Sequence, residues 1–191
     1  MSYKYSLILA LLLIPGSICA MPIKDLYKMQ NENELRQAIA DYEKLDTYDA
    51  IQRSGIAYHN LATLKVSGAS EKAVKFLKKA SDMKPTDSIT LAYLGSATTM
   101  SARDSWNMFT KMADANRGFN LLDKAVSLDP NNAILRVLRI NNSLQAPDFL
   151  GRKRMVKSDF AKVEQLLTEN PNQLDPETVA DLSRKAGKLD K

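Results

Sequence analysis

A short spacing of small and apolar residues occurs twice and constrains the fold more than any other feature of the chain. The set reads small-x3-Leu-x2-Ala-x4-Pro, first at Ala73, Leu77, Ala80 and Pro85, then at Gly118, Leu122, Ala125 and Pro130. Each copy runs directly into a second apolar segment, SITLAYLG at 88–95 and AILRVLR at 133–139. Self-similarity of this kind is typical of stacked helix pairs.

The remaining chain predicts helices and no strands, because no sustained alternation of β-branched and polar residues follows residue 20. The first predicted helix, 33–43, places Leu35, Ala38, Ile39 and Tyr42 on one face. Ser70 is expected to cap a later helix, and Gly68 to end the one before it. The predicted helices cover 33–43, 48–66, 70–83, 87–99, 133–144, 152–169 and the segment after Asp175, with one long helix or two in tandem over 101–128.

The paired segments resemble tetratricopeptide repeats, a pattern of small residues, a Leu-Gly pair, an aromatic residue and a closing proline. The unit 88–132 contributes Leu91 and Leu94-Gly95 before the second copy of the repeated set, and the unit 133–172 keeps only Leu166 and Pro171. The best match is the unit 54–87, through Leu61-Ala62, Ala73, Leu77, Ala80 and Pro85.

This resemblance implies an all-α, right-handed stack of antiparallel helix hairpins, a TPR-like α-solenoid with about three units and flanking N- and C-terminal helices. The domain would cover residues 21–191 and end in a capping helix at 175–188. The second unit is longer than the roughly 34 residues of the family, so an insertion is expected near 101–111. By resemblance, the first helix of each unit lines a concave binding face, at Ile56, His59, Thr63, Ala92, Ser96, Val137 and Asn141.

The first twenty residues have the pattern of a secretory signal peptide rather than of a buried helix. Lys4 precedes the apolar run Leu7–Ile14, which Pro15 interrupts, and cleavage is expected between Ala20 and Met21. The run is too short to cross a bilayer. Acylation of Cys19 is the alternative, although Gly16-Ser17-Ile18 fits a lipoprotein site poorly. The signal peptide predicts a periplasmic or secreted location. Cys19 is the single cysteine, and a mature chain without disulfides fits a bacterial periplasm better than a eukaryotic extracellular space.

Composition favours a binding protein over an enzyme or a nucleic-acid-binding protein. The chain carries 27 basic and 22 acidic residues, an excess too small to indicate nucleic acid. Its single histidine, His59, is expected to be a packing or groove residue rather than a general base. No phosphate-binding loop, nucleophile elbow or zinc motif occurs, so we expect no catalytic residue, metal or cofactor.

The insertion contains an apolar stripe with two alternative interpretations. Trp106, Phe109 and Met112 recur at helical spacing, together with Ala113. Stripes of this kind usually pack inside their own protein. Methionine-rich aromatic stripes also suit adaptable partner surfaces.

Basic residues in the C-terminal part allow two further interpretations. Arg136, Arg139 and Arg152 accompany Asp148 and Asp159, either as an ion-pair network around Pro147 or as a site for an anion. The cluster Arg152, Lys153, Arg154 and Lys157 is either a solvated helix start or a contact for anionic lipid or an acidic partner.

The sequence therefore predicts an exported, non-catalytic helical-repeat scaffold that binds a protein or peptide in the cell envelope. The alternative is a periplasmic component that binds a small molecule or lipid in a pocket lined by methionine and aromatic side chains. No transmembrane segment is expected in the mature chain.

Plain cleavage predicts that protein from its native host begins at Met21 and carries no lipid. Intact-mass measurement tests this, because a chain that begins at Cys19 with an added diacylglyceryl group would be membrane-anchored instead.

Overall fold

The computed structural model describes residues 23–104 and 106–187, and within these ranges the chain is all-α, as predicted, without a strand. The signal-peptide segment and Cys19 lie outside the described residues. No helix in those ranges is long and apolar enough to cross a membrane. The helices are α1 (Ile23–Lys28), α2 (Glu32–Tyr42), α3 (Tyr48–Thr63), α4 (Ala69–Met83), α5 (Ser88–Asp104), α6 (Met108–Leu128), α7 (Ala133–Leu144), α8 (Lys153–Glu169) and α9 (Pro176–Ala186), with short 3-10 turns at Asp148–Leu150 and Pro171–Gln173.

The segment predicted to be an insertion, 101–111, contains the end of α5 and the start of α6. Helix α5 continues to Asp104, past its predicted end at 99, and α6 begins at Met108. The new start is capped by Asn107, whose side chain accepts hydrogen bonds from the amides of Phe109 and Thr110. The prediction also missed α1, which is only 6 residues long and therefore gives little periodic signal.

The turn between α3 and α4 differs from the prediction. Gly68, at φ 71, precedes α4 directly, so Ser70 lies inside the first helical turn, where it is buried and does not act as the cap. Helix α3 ends earlier than predicted, at Thr63, and Lys65 adopts a left-handed conformation at φ 63.

Consecutive helices pack against each other along most of the chain. The pairs α3–α4, α5–α6 and α7–α8 are in contact, as are α4–α5 and α6–α7. Helices α3, α5 and α7 also touch in the order α3–α5–α7. The predicted face of α2 is confirmed, since Leu35, Ala38, Ile39 and Tyr42 are its buried residues.

The repeated leucines lie against glycines of the facing helices. A Cβ atom added at Gly55 would lie 2.6 Å from Cγ of Leu77, and one added at Gly95 would lie 3.0 Å from Cγ of Leu122. The second contact is the closer one between backbones, since that Cβ would also lie 2.7 Å from the carbonyl oxygen of Gly118. Side chains larger than hydrogen therefore do not fit where α5 crosses α6.

The buried apolar residues form two clusters, which meet at α7 and at Tyr27 of α1. The larger contains residues of α1 to α7, and the smaller lies between α7, α8 and α9. Tyr27 packs against both. Its phenol lies beside Thr178 of α9, and burial raises its pKa. Helices from the two ends of the described chain are thus brought together.

We predict that Gly95→Ala lowers the free energy of unfolding by about 1–3 kcal/mol, because the added methyl group meets backbone atoms of α6 that cannot move independently. Urea unfolding measures the change. Gly187→Ala is the matched control: its φ is −62 and the nearest atom to an added Cβ is 3.7 Å away. Equal stability of the two variants would contradict the close approach.

Candidate functional site

A polar groove of about 420 Å³ runs beside the C-terminal halves of α3 and α5 and along α7. Its other side consists of α9 and the end of α1. Neutral polar side chains predominate on the α3, α5 and α7 side, whereas α9 and its N-cap add the charged residues Asp175, Glu177, Asp181 and Arg184. The neutral polar lining residues of α3, α5, α7 and the segment after α1 are Gln30, His59, Asn60, Thr63, Ser96, Asn141, Asn142 and Gln145.

The groove brings together five of the seven residues expected on a concave face: His59, Thr63, Ser96, Val137 and Asn141.

Ile56 and Ala92 are the exceptions, because both are fully buried in the larger apolar cluster and do not line the groove. Near these two residues, Gln52 donates a hydrogen bond to the Thr90 hydroxyl at 2.8 Å. The contact joins α3 to α5, and the groove begins only beyond it.

The floor of the groove is a chain of buried hydrogen bonds that connects four helices. His59 Nε2 lies 2.7 Å from the Ser96 hydroxyl, which also accepts a hydrogen bond from Asn142 Nδ2 at 2.9 Å. The hydroxyl of Thr99 donates to the Asn142 carboxamide oxygen. At the other end, Asn60 donates to the Leu26 carbonyl at 2.7 Å. The chain thus fixes α1, α3, α5 and α7 relative to one another.

His59 is neutral in this environment. Burial lowers its pKa to about 4, although the Asn60 carboxamide opposes the shift. Because Asn60 turns its NH2 group to Leu26, its oxygen faces Nδ1 of His59 at 3.3 Å. Nδ1 therefore carries the proton, and Nε2 accepts from Ser96.

A hydroxyl beside an imidazole has the geometry of a nucleophile and its base. Two features make this pair a poor catalyst. A histidine whose pKa is about 4 is a weak base at neutral pH. The Ser96 side chain is also buried, and its oxygen is already held by Asn142. The arrangement is that of a satisfied structural network.

A second polar cluster holds α6, α7 and α8 together through ion pairs. The carboxylate of Asp159, 0% exposed, accepts hydrogen bonds at 2.7 Å from both Arg136 and Arg139. Asp123 accepts from Arg139 at 3.1 Å and from both terminal nitrogens of Arg152 at 2.8 Å. The three guanidinium groups thus share two carboxylates.

These ion pairs correspond to the network alternative, with one change of partner. Asp148 does not take part; it lies at the surface, paired with Lys153. Asp123 takes its place, and this residue was not identified from the sequence. Burial alone would raise the pKa of Asp123, but hydrogen bonds from Arg152 and the charges of Arg152 and Arg139 hold it below its usual value. Burial likewise opposes the charge of Arg139, whose pKa is nevertheless raised by Asp159.

The cluster of basic residues at the start of α8 divides into two parts. Arg152 belongs to the ion-pair network, and its guanidinium also lies 4.7 Å from the centre of the Phe119 ring. Lys153, Arg154 and Lys157 are exposed, which is compatible with both a solvated helix start and a contact surface.

The apolar stripe of the insertion lies on the surface, so the internal-packing interpretation is wrong. Trp106 is 95% exposed and Phe109 87% exposed, and Met108 and Met112 are exposed as well. Phe149, on the α7–α8 connection, is also exposed.

Beside this stripe is an apolar pocket of about 370 Å³ between α5, α6 and the α7–α8 connection. Phe119 is the most deeply buried of its aromatic residues, whereas Met108 and Phe149 are exposed at its opening. The pocket and the groove are neighbours, because both are lined by Met100, Asn142 and Gln145.

Comparisons with protein-family models, with curated proteins and with solved structures gave no match. Within residues 23–104 and 106–187, no group of three or more histidine, cysteine, aspartate or glutamate side chains is placed to hold a metal ion.

We predict that His59 stays neutral from pH 7 down to about pH 5, since its pKa is about 4. It is the single histidine, so its ring resonance can be followed by NMR without ambiguity. In the unfolded chain the pKa of this histidine is near 6.5, so between about pH 6.5 and pH 4 the unfolded state binds a proton that the folded state does not. The free energy of unfolding should therefore fall by about 3 kcal/mol as the pH drops from about 6.5 to about 4.

The variant His59→Gln provides the control for this measurement, because the part of the pH dependence due to His59 disappears in it. A native resonance that titrates near pH 6.5 would contradict the buried, neutral state.

Proposed function

We propose that the protein is an exported, non-catalytic helical-repeat protein that binds an extended segment of a protein partner in its polar groove. The observation that carries the proposal is the row of neutral amide and hydroxyl side chains that lines the groove across α3, α5 and α7. The contacts in the order α3–α5–α7, and the leucines that repeat against facing glycines, support a TPR-like stack of helix pairs.

Amide side chains suit a peptide main chain because each offers both a donor and an acceptor. Gln30 and Asn141 lie on different elements of the groove lining and are at least partly accessible. Asn141 accepts from Lys185, which leaves its NH2 group available to a carbonyl oxygen. An extended segment exposes alternating carbonyl and amide groups that such side chains can bind.

The chemistry of the groove favours binding over catalysis. Burial lowers the pKa of its histidine and makes this residue a weak base, and its buried hydroxyl is held by two neighbours. Rigid networks of this kind position a surface at little entropic cost, which benefits recognition.

A second candidate function, binding of a small molecule or lipid, is favoured by the apolar pocket. The lining of this pocket includes three methionines and two phenylalanines, Met100, Met108, Met112, Phe119 and Phe149. A concave apolar site of this size is within the range of small-ligand pockets.

We predict that peptides selected from a random displayed library against the purified protein bind in the groove. Replacing Gln30 and Asn141 together by alanine should weaken their binding by about tenfold or more, because each lost hydrogen bond costs roughly 0.5–1.5 kcal/mol. Titration calorimetry measures the change in affinity.

The matched control replaces two surface amides away from the groove, Gln37 and Gln165, and should leave affinity unchanged. A further variant, Trp106→Ala with Phe109→Ala, tests the exposed stripe. It should alter stability by less than about 0.5 kcal/mol, since both side chains are exposed. Loss of peptide binding in this variant and not in the groove variant would assign the partner to the stripe and refute the groove proposal.

A further inference from the structure

We propose that the apolar pocket between α5, α6 and the α7–α8 connection binds the alkyl chain of a single-chain anionic amphiphile, a fatty acid in its simplest form, with the carboxylate beside Lys111. This inference rests on the second candidate function and is independent of peptide binding in the groove.

The shape of the pocket suits a chain that enters from one end. Phe119, only 6% exposed, is at the base, and the exposed Met108 and Phe149 are at the opening. Methionine side chains are flexible and polarisable, so they adapt to a chain that lacks fixed shape. The walls come from three separate parts of the chain, which makes the site a cleft and not a flat face.

The charges around the pocket select the head group. Lys111 and Arg103 are among its lining residues, and no aspartate or glutamate is among those that the structure describes. Both lie on the α5 and α6 sides of the pocket, together with the exposed Met108. A carboxylate beside Lys111 would be attracted by its ammonium group, whereas an alcohol or a cationic head group would lack that attraction.

The volume of the pocket favours one chain over two. About 370 Å³ is near the lower end of the range for small-molecule pockets, which reaches about 1,000 Å³. Diacyl lipids would place a second chain outside the apolar lining. Fatty acids are thus the amphiphiles that match both the volume and the charge.

The experiment titrates the purified protein with saturated fatty acids of increasing chain length, below their micelle concentrations, by calorimetry. Affinity should rise about fourfold for each added methylene, then stop rising when the pocket is full. Trp106, the single tryptophan, lies two residues from Met108 and reports the same event. A brominated chain should quench its emission with the same midpoint.

Two matched pairs of variants locate the site. Ala115→Phe fills the pocket from its α6 wall and should reduce affinity at least tenfold, whereas Ala113→Phe adds the same ring on the exposed side of α6 and should not. Lys111→Gln should remove most of the difference in affinity between the acid and the alcohol of equal length, with the alcohol unaffected. Lys124→Gln, at an exposed position of the same helix, should change neither.

Thermal unfolding shows whether Ala115→Phe is folded. If it is not, the site is tested by the plateau of affinity with chain length and by the comparison of Lys111→Gln with Lys124→Gln. The groove variant, Gln30→Ala with Asn141→Ala, should bind fatty acid like the native protein, so failure of one site is distinguishable from failure of the other. Three outcomes would overturn the inference: no saturable binding, a rise in affinity without a plateau, or a concentration-dependent dimer that buries the pocket in place of the ligand.

Discussion

The near-contact of two backbones at Gly95 and Gly118 is the constraint on which both cavities depend. A Cβ atom at either glycine would lie 2.7 Å from the carbonyl oxygen of the other, so α5 and α6 can cross at this distance only without side chains. Phe119 follows Gly118 directly, and Asp123 is little more than one turn further on. The crossing therefore sets where the base of the apolar pocket lies and where Asp123 meets Arg139 and Arg152.

The groove depends on the same geometry through a different set of bonds. Ser96 follows Gly95, and its hydroxyl connects His59 of α3 with Asn142 of α7. Gly95 thus sets how closely α6 approaches α5. The next residue, Ser96, sets how α3 and α7 are held on the other side of α5. Buried polar groups of this kind stabilise a single arrangement because any other would leave them without partners.

Local periodicity was enough to predict the described helices other than α1, and much of what they bury. Leu35 and Tyr42 were assigned to the buried face of α2 from their spacing alone, and both are buried. Five residues of the groove were also predicted, on one side of it. The other side, formed by Tyr27 and α9, was not predicted, because the spacing of residues within a helix carries no information on contacts between the first and last helices. Asp123 was missed for the same reason, since Arg152 is distant from it in sequence.

The stripe of the insertion shows a different limit of sequence reasoning. Spacing shows that Trp106 and Phe109 share a face, but only the surrounding helices determine whether that face is covered. In the described part of the chain no helix covers them, and both are exposed. Ile56 and Ala92 show the reverse case. Both were predicted to be exposed on a binding face, but they are buried where α3 and α5 are in contact.

The packing of Tyr27 against both apolar clusters bears on how the molecule folds and unfolds. Stacked arrays in which each unit contacts only its neighbours can lose structure progressively from a free end. Here Tyr27 of the first described helix also touches the last one at Thr178, so loss of structure at one end removes a contact from the other. The contact also joins segments separated by most of the chain. Such a contact costs loop-closure entropy before it stabilises the folded protein. We therefore expect the contact between Tyr27 and α9 to form late in folding.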